Sequence, residues 1–157
     1  MSRVVIEERG RVAVLRLSSG VTNAIGPLLV EELSGALDKI RLEFEGLVLA
    51  GGSKFFSIGL SLPELLKLER TAMADFWQRF DALIFHLFTL PIPTVCALAG
   101  HAVAGGTILA LSCDYRFAAA EDKKVGLNEV KLRLPANFKP HPTRNSTFWP
   151  RPAFSLT

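Results

Sequence analysis

At 157 residues the chain is long enough for a single domain burying roughly 70% of the surface its unfolded form exposes. Its 49% hydrophobic and 21% charged content is ordinary for a soluble globular protein, and the mean hydropathy of +0.30 points to buried faces, some of them between subunits. The formal charge of +3 belongs to residues 136–157, where Lys139, Arg144 and Arg151 stand without an acid. The remainder is neutral, so the clustered basic face that a nucleic-acid partner requires is not expected. No window approaches the roughly 18 uninterrupted apolar residues of a membrane span. The longest candidate, Phe76 to Leu90, is broken by Gln78, Arg79, Asp81 and His86. The N-terminus, MSRVVIEERG, has neither secretory nor transit character, which makes cytoplasmic residence the expectation. Cys96 and Cys113 do not form a disulfide framework, and His86, His101 and His141 are scattered without metal-ligand spacing, so no metal is expected.

In chain order, Val4 to Glu8 and Arg11 to Leu17 read as two strands joined at Arg9-Gly10, an N-terminal hairpin. Ser18 to Gly26 is a loop. Pro27 suits the first position of a helix whose apolar face is Leu29, Leu33, Ala36, Leu37, Ile40 and Phe44. Gly46 ends it, and Leu47 to Ala50 is a short apolar strand, which completes a βαβ unit. Gly51 to Leu60 (GGSKFFSIGL) reads as a loop. Ser61 and Glu64 have the spacing of a capping box for a short helix through Leu68. Thr71 can cap the next helix, with Phe76, Phe80, Leu83, Ile84 and Leu87 on its buried face. Pro91 and Pro93 then lead into a strand from Thr94 to Ala99, and Tyr115 to Ala119 is a further strand.

The stretch from Ala97 to Arg116 (ALAGHAVAGGTILALSCDYR) organises the rest. Gly105 and Gly106 follow a strand and open a helix. Backbone N–H groups at such a terminus favour developing negative charge, although neither nucleotide-binding glycine signature is present. A tightly packed strand-to-helix turn reads equally well from these residues alone.

Two motifs together resemble the crotonase (enoyl-CoA hydratase/isomerase) superfamily over residues 1–135. The first is Phe56-Ser57-Ile58-Gly59-Leu60-Ser61. The second is Ala99-Gly100-His101-Ala102-Val103-Ala104-Gly105-Gly106, continued by Leu111 to Arg116. The resemblance implies a crotonase-like α/β spiral of β-β-α repeats and an acyl-CoA thioester substrate, with coenzyme A part of that substrate and no separate cofactor. It also implies an oxyanion hole from the backbone N–H groups of Ile58 and Gly105, each donor worth roughly 3–4 kcal/mol. Ala24, Phe56, Ser57, Gly59, Leu60, Gly106 and Asn128 are the matching substrate-binding positions. Hydratases of the family use two glutamates. The first falls here on Ile108, and the second on Glu129 in Gly126-Leu127-Asn128-Glu129. One carboxylate suits a proton shuttle better than hydration, a pattern similar to the Δ3,Δ2-enoyl-CoA isomerases. From the residues alone Glu129 reads as a solvated loop glutamate beside Lys131; the resemblance implies instead a base that Val125, Leu127 and Val130 desolvate, raising its pKa.

Lys54 is a weaker candidate for a coenzyme A phosphate, and His101 reads as structural. Residues 136–157, with four of the nine prolines, read as an irregular tail foreign to the core at 1–135, as an altered reading frame or alternative terminus would give. In the family, helices at that point close the acyl pocket and build a homotrimer or hexamer. The expectation is therefore an enoyl-CoA isomerase cut short. The alternatives are a non-catalytic chain that binds acyl-CoA or pairs with full-length subunits, and, behind it, a hydratase.

Overall fold

A computed structural model describes residues 2–120 and 122–127. Strands β1 (Val4–Arg9) and β2 (Val12–Leu17) form the antiparallel hairpin, with Gly10 at φ 61° in its turn. Helix α1 (Pro27–Glu43) starts on its proline, and its buried residues are Leu29, Val30, Leu33, Ala36, Leu37 and Ile40. It returns the chain to β3 (Gly46–Ala50), parallel to β2. After a short strand, β4 (Phe55–Ser57), come helices α2 (Leu62–Leu65) and α3 (Arg70–Phe88). The chain then enters β5 (Thr94–Leu98), parallel to β3. Strand β6 (His101–Val103), helix α4 (Gly105–Leu111), β7 (Tyr115–Ala118) and β8 (Val125–Gly126) complete the described elements.

The strands make two sheets: a five-stranded one in the order β1-β2-β3-β5-β7, and a parallel three-stranded one in the order β4-β6-β8. The first follows from the strand-helix-strand pattern. The second has no comparable pattern, because its strands are three, three and two residues long, and β4 lies in a segment that reads as loop. Close backbone approach makes it possible. A Cβ on Gly100 would come within 2.7 Å of the Lys54 carbonyl carbon and Phe55 nitrogen, and one on Gly51 would meet Phe56 backbone within 2.9 Å. Side chains at either position would push β4 away from its neighbours.

Between sheet and helices lies one apolar cluster, including Leu15, Leu37, Leu47, Leu49, Phe56, Phe80, Leu83, Cys96 and Leu109. Each large side chain fully buried in this way contributes about 1.5–3 kcal/mol. The two cysteines belong to this interior, Cys96 fully buried and Cys113 4% exposed. A hydrogen bond with Cys113, reinforced by burial, pushes the Cys96 thiol pKa far up.

Beyond one-residue shifts at element ends, three features of the helices differ from the sequence reading. Helix α2 ends at Leu65, with the Leu68 N–H closing a turn on the Leu65 carbonyl at 3.0 Å. The Ser61 hydroxyl binds the Glu64 carboxylate at 3.0 Å instead of capping a helix N–H. Helix α3 is entered from Glu69 rather than Thr71, because the extended Glu69 backbone offers its carbonyl to the Met73 N–H at 2.8 Å.

Candidate active site

The site is built where the loop before α1, the loop after β4 and the start of α4 meet. Asn23 holds the first loop. It lies at φ 47°, its side chain accepts the Ser19 N–H at 2.9 Å, and its amide donates to the Phe56 carbonyl at 3.0 Å. Asparagine tolerates this left-handed conformation through such local bonds. The Ser57 hydroxyl ties that loop to the next one, donating to the Asn23 carbonyl at 2.7 Å and accepting the Gly59 N–H at 3.1 Å. Beside them Ile25 and Leu60 form an isolated parallel bridge, in which the Ile25 N–H reaches the Gly59 carbonyl and the Ser61 N–H the Ile25 carbonyl, each at 2.8 Å.

This bridge decides which amides are free. The Ile58 N–H, expected to be an oxyanion donor, is bound to the Thr22 carbonyl at 3.1 Å. Its neighbours Gly59 and Ser61 are engaged too. The N–H of Leu60 points away from Ile25, by the parity of a parallel pairing, and finds no acceptor among the described residues. The N–H of Gly105, the first residue of α4, is likewise unbound among the described residues, as helix N-termini leave such groups. The two amides lie on either side of a glycine contact. Gly59 stands at φ 88°, and a Cβ on it would fall 2.8 Å from the Gly105 nitrogen and 2.8 Å from the Ala104 Cβ.

A cleft of about 710 Å³ opens beside this contact. Thr22, Ala24, Ile58 and Leu60 contribute to its wall, as do Ser61, Leu62 and Glu64. Arg3 also lines it, its guanidinium donating to the Ser19 hydroxyl at 3.0 Å, and is the one cation of the cleft wall among the described residues. Arg3 is held in place through its own N–H, which binds Glu32. The Ser2 hydroxyl and that Arg3 amide keep the Glu32 carboxyl below its ordinary range.

The sequence-derived site residues divide accordingly. Ala24 and Leu60 reach the cleft, and Gly105 offers a free amide. Phe56 and Ser57 do not reach it: both are fully buried, the ring in the core and the hydroxyl bonded inward, so they shape the site without lining it. Gly59 and Gly106 act through their lack of a side chain, Gly106 being pressed against the Ser57 backbone. Val125 and Leu127 are 48% and 55% exposed. Glu129 and Asn128 themselves, with Val130 and the tail from 136, lie outside the described residues. Ile108 is half-buried in the first turn of α4, three residues after Gly105. Among the described residues no group of three His, Cys, Asp or Glu side chains converges as a metal site would. Lys54 lies 5.6 Å above the Phe55 ring, and the His101 Nδ1 accepts the Lys124 N–H at 2.9 Å, in keeping with a structural role. Leu60 as a donor, Ala104 and Thr107 were not singled out by sequence. The pairing of Ile25 with Leu60, which frees one amide, has no signal in composition or periodicity.

The enoyl-CoA hydratase/isomerase family profile matches residues 7–141. The chain belongs to the enoyl-CoA hydratase/isomerase family. Among its relatives, "Enoyl-CoA delta isomerase 1, mitochondrial" of Mus musculus is 33% identical over 142 residues, 87% of this chain and 49% of that one. A "Probable enoyl-CoA hydratase" of Bacillus subtilis is 32% identical over 130 residues, 81% of this chain and 50% of the relative. The solved structure of human mitochondrial delta3-delta2-enoyl-CoA isomerase superposes with a TM-score of 0.79 at 30% identity, covering 84% of this chain and 54% of that one. The fold is therefore the crotonase-like α/β architecture expected from the motifs. The chain spans about half the length of these family members. None of the helices in the described residues is long and apolar enough to cross a membrane.

Proposed function

We propose that the chain binds an acyl-CoA thioester and shifts a double bond from the 3- to the 2-position. Coenzyme A is part of the substrate. The thioester oxygen accepts the N–H groups of Leu60 and Gly105, and the enolate that forms on loss of a proton is stabilised where its charge develops. Leu60 replaces Ile58 in this role because the Ile58 amide already has an acceptor. Glu129 is the base. Its carboxylate takes a proton from the carbon next to the thioester carbonyl, giving a dienolate, and returns it to the carbon two positions along. The C3–C4 double bond becomes the C2–C3 double bond, and the carboxylate ends as it began.

The observation that carries isomerisation over hydration is Ile108. It occupies the first turn of α4, at the family's first glutamate position, with a side chain that can neither take nor give a proton. Hydration needs one group to activate water and another to deliver a proton, and a single carboxylate is suited to moving one proton along one face.

The test is to incubate the full chain with a 3-enoyl-CoA and follow the ultraviolet absorbance of the conjugated thioester, with Glu129→Gln as the comparison. Appearance of 2-enoyl-CoA, abolished by the substitution while binding persists, is the expected result. Turnover by Glu129→Gln sinks the base assignment. Hydration of 2-enoyl-CoA faster than isomerisation overturns the reaction type. Binding with neither reaction removes the catalytic reading and leaves the acyl-CoA one.

A further inference from the structure

Thr107 stands in the first turn of α4, two residues after Gly105, and is 4% exposed. A helical serine or threonine hydroxyl ordinarily binds the carbonyl one turn back. Ser112 does so, donating to the Ile108 carbonyl at 2.9 Å. Thr107 instead reaches out of its helix. Its hydroxyl donates to the Ala102 carbonyl at 2.7 Å, lies 3.0 Å from the Gly126 carbonyl oxygen, and accepts the Gly126 N–H at 3.1 Å. The Gly126 carbonyl also receives the Ala104 N–H at 3.1 Å, and the Ala102 N–H reaches the Lys124 carbonyl at 2.9 Å. The turn from 102 to 107 is thus held at both feet, by one hydroxyl and by strand β8.

Between the feet sits Ala104 at φ 50°, ψ −126°, a region that residues with a side chain avoid. Such a conformation persists only where the surroundings over-determine it, and it tends to occur where geometry serves a site. Ala104 immediately precedes Gly105, so its dihedrals set the direction of the Gly105 N–H. We propose that Thr107 is a positioning residue: by fixing the feet of this turn, its hydroxyl holds Ala104 in the strained conformation that aims the Gly105 amide. The functional meaning rests on the oxyanion role given to Gly105 above.

The experiment compares Thr107→Val, which keeps the shape and removes the hydroxyl, with Thr107→Ser, which keeps the hydroxyl. In the free protein the Gly105 amide resonance is followed. In the complex with a saturated acyl-CoA carrying carbon-13 at the carbonyl, the carbonyl shift and the exchange of the adjacent protons with deuterium are followed. Thr107→Val is expected to move the Gly105 resonance and to reduce the carbonyl polarisation. Proton exchange should slow by about tenfold or more, the scale of a misplaced catalytic group, with affinity little changed. Thr107→Ser should restore all of these. An unmoved Gly105 resonance and carbonyl shift in Thr107→Val, or a Thr107→Ser variant as impaired as the valine, overturns the proposal. If Thr107→Val does not fold, Thr107→Ala, which leaves room for water at the Gly126 N–H, is read in the same way. If even the parent binds no acyl-CoA, the acyl-CoA reading fails, and the Gly105 resonance of the free variants still decides the role of Thr107.

Discussion

Replacing Gly59 with alanine tests the glycine contact on which the site depends. Two costs add. The left-handed conformation, φ 88°, is unfavourable for any residue with a Cβ by about 1–2 kcal/mol. The new methyl would also fall 2.8 Å from both the Ala104 Cβ and the Gly105 nitrogen. Neither neighbour is the far end of a flexible side chain, so the contact is relieved only by moving backbone, an overpacking cost of roughly 1–3 kcal/mol. Gly10 provides the internal control. It shares the left-handed conformation, at φ 61°, yet a Cβ there meets nothing within 4 Å. Both substitutions also lower the entropy of the unfolded chain equally, by about 0.4–1 kcal/mol, which cancels in the comparison. Urea titration of the full chain, followed by circular dichroism, should therefore show Gly59→Ala about 1–3 kcal/mol less stable than Gly10→Ala. A difference below about 0.5 kcal/mol, the scatter of ordinary surface changes, refutes the steric argument and with it the close approach of Gly59 to the Gly105 amide.

Gly105→Pro removes one amide at a first helical position, but its ring must fit against Ile25 and Gly59 and restricts Ala104, so circular dichroism first checks the fold; in folded protein substrate deprotonation should fall by at least roughly 10²–10³-fold, read as deuterium exchange into bound acyl-CoA. Ala104→Gly relieves the conformation at φ 50°, against a gain in unfolded-chain entropy, and is expected to leave stability unchanged or raise it by up to about 1 kcal/mol in a urea titration. The carboxylate of Asp114 accepts the Thr94 N–H at 2.8 Å and the Thr94 hydroxyl at 2.9 Å, and these bonds hold its pKa below the ordinary 3.8. Its contribution is therefore fully present above about pH 4 and is lost as the pH falls through the lowered value. Asp114→Asn should flatten the acid limb of stability against pH relative to the parent, and an identical limb in both proteins contradicts the assignment.

The large elements were legible in the sequence because each has a period. Leu29, Leu33, Leu37 and Ile40 recur at helical spacing, and the βαβ order dictates a parallel sheet around β3. The second sheet was not legible, since β4, β6 and β8 are too short for alternation to register and rest on glycines whose use is close approach. The family motifs pointed to Ala24 and Leu60, which line one cleft, and to Gly105, which packs near Leu60 without lining it, but they could not say which amides remain free. That depends on pairing across sequence: the Thr22 carbonyl takes the Ile58 N–H, the Ser57 hydroxyl the Gly59 N–H and the Ile25 carbonyl the Ser61 N–H. Phe56 and Ser57 lie behind the lining for the same reason: a motif does not tell a residue that lines a cleft from one that holds the lining in place. The cap expected at Thr71 gave way to Glu69, where the backbone geometry of the preceding turn outweighed side-chain preference.

The burial of Cys96 and Cys113 has a practical consequence. Thiols react with alkylating reagents as thiolates, and a raised pKa together with exclusion from solvent silences Cys96 in the folded state. These are the chain's two cysteines, one on β5, between β3 and β7 in the large sheet, and one just beyond α4. Modification then requires opening, and its rate at saturating reagent counts how often the interior is breached. The fold carries its own pair of timers, placed so that one reads the sheet and the other reads the helix that presents Gly105.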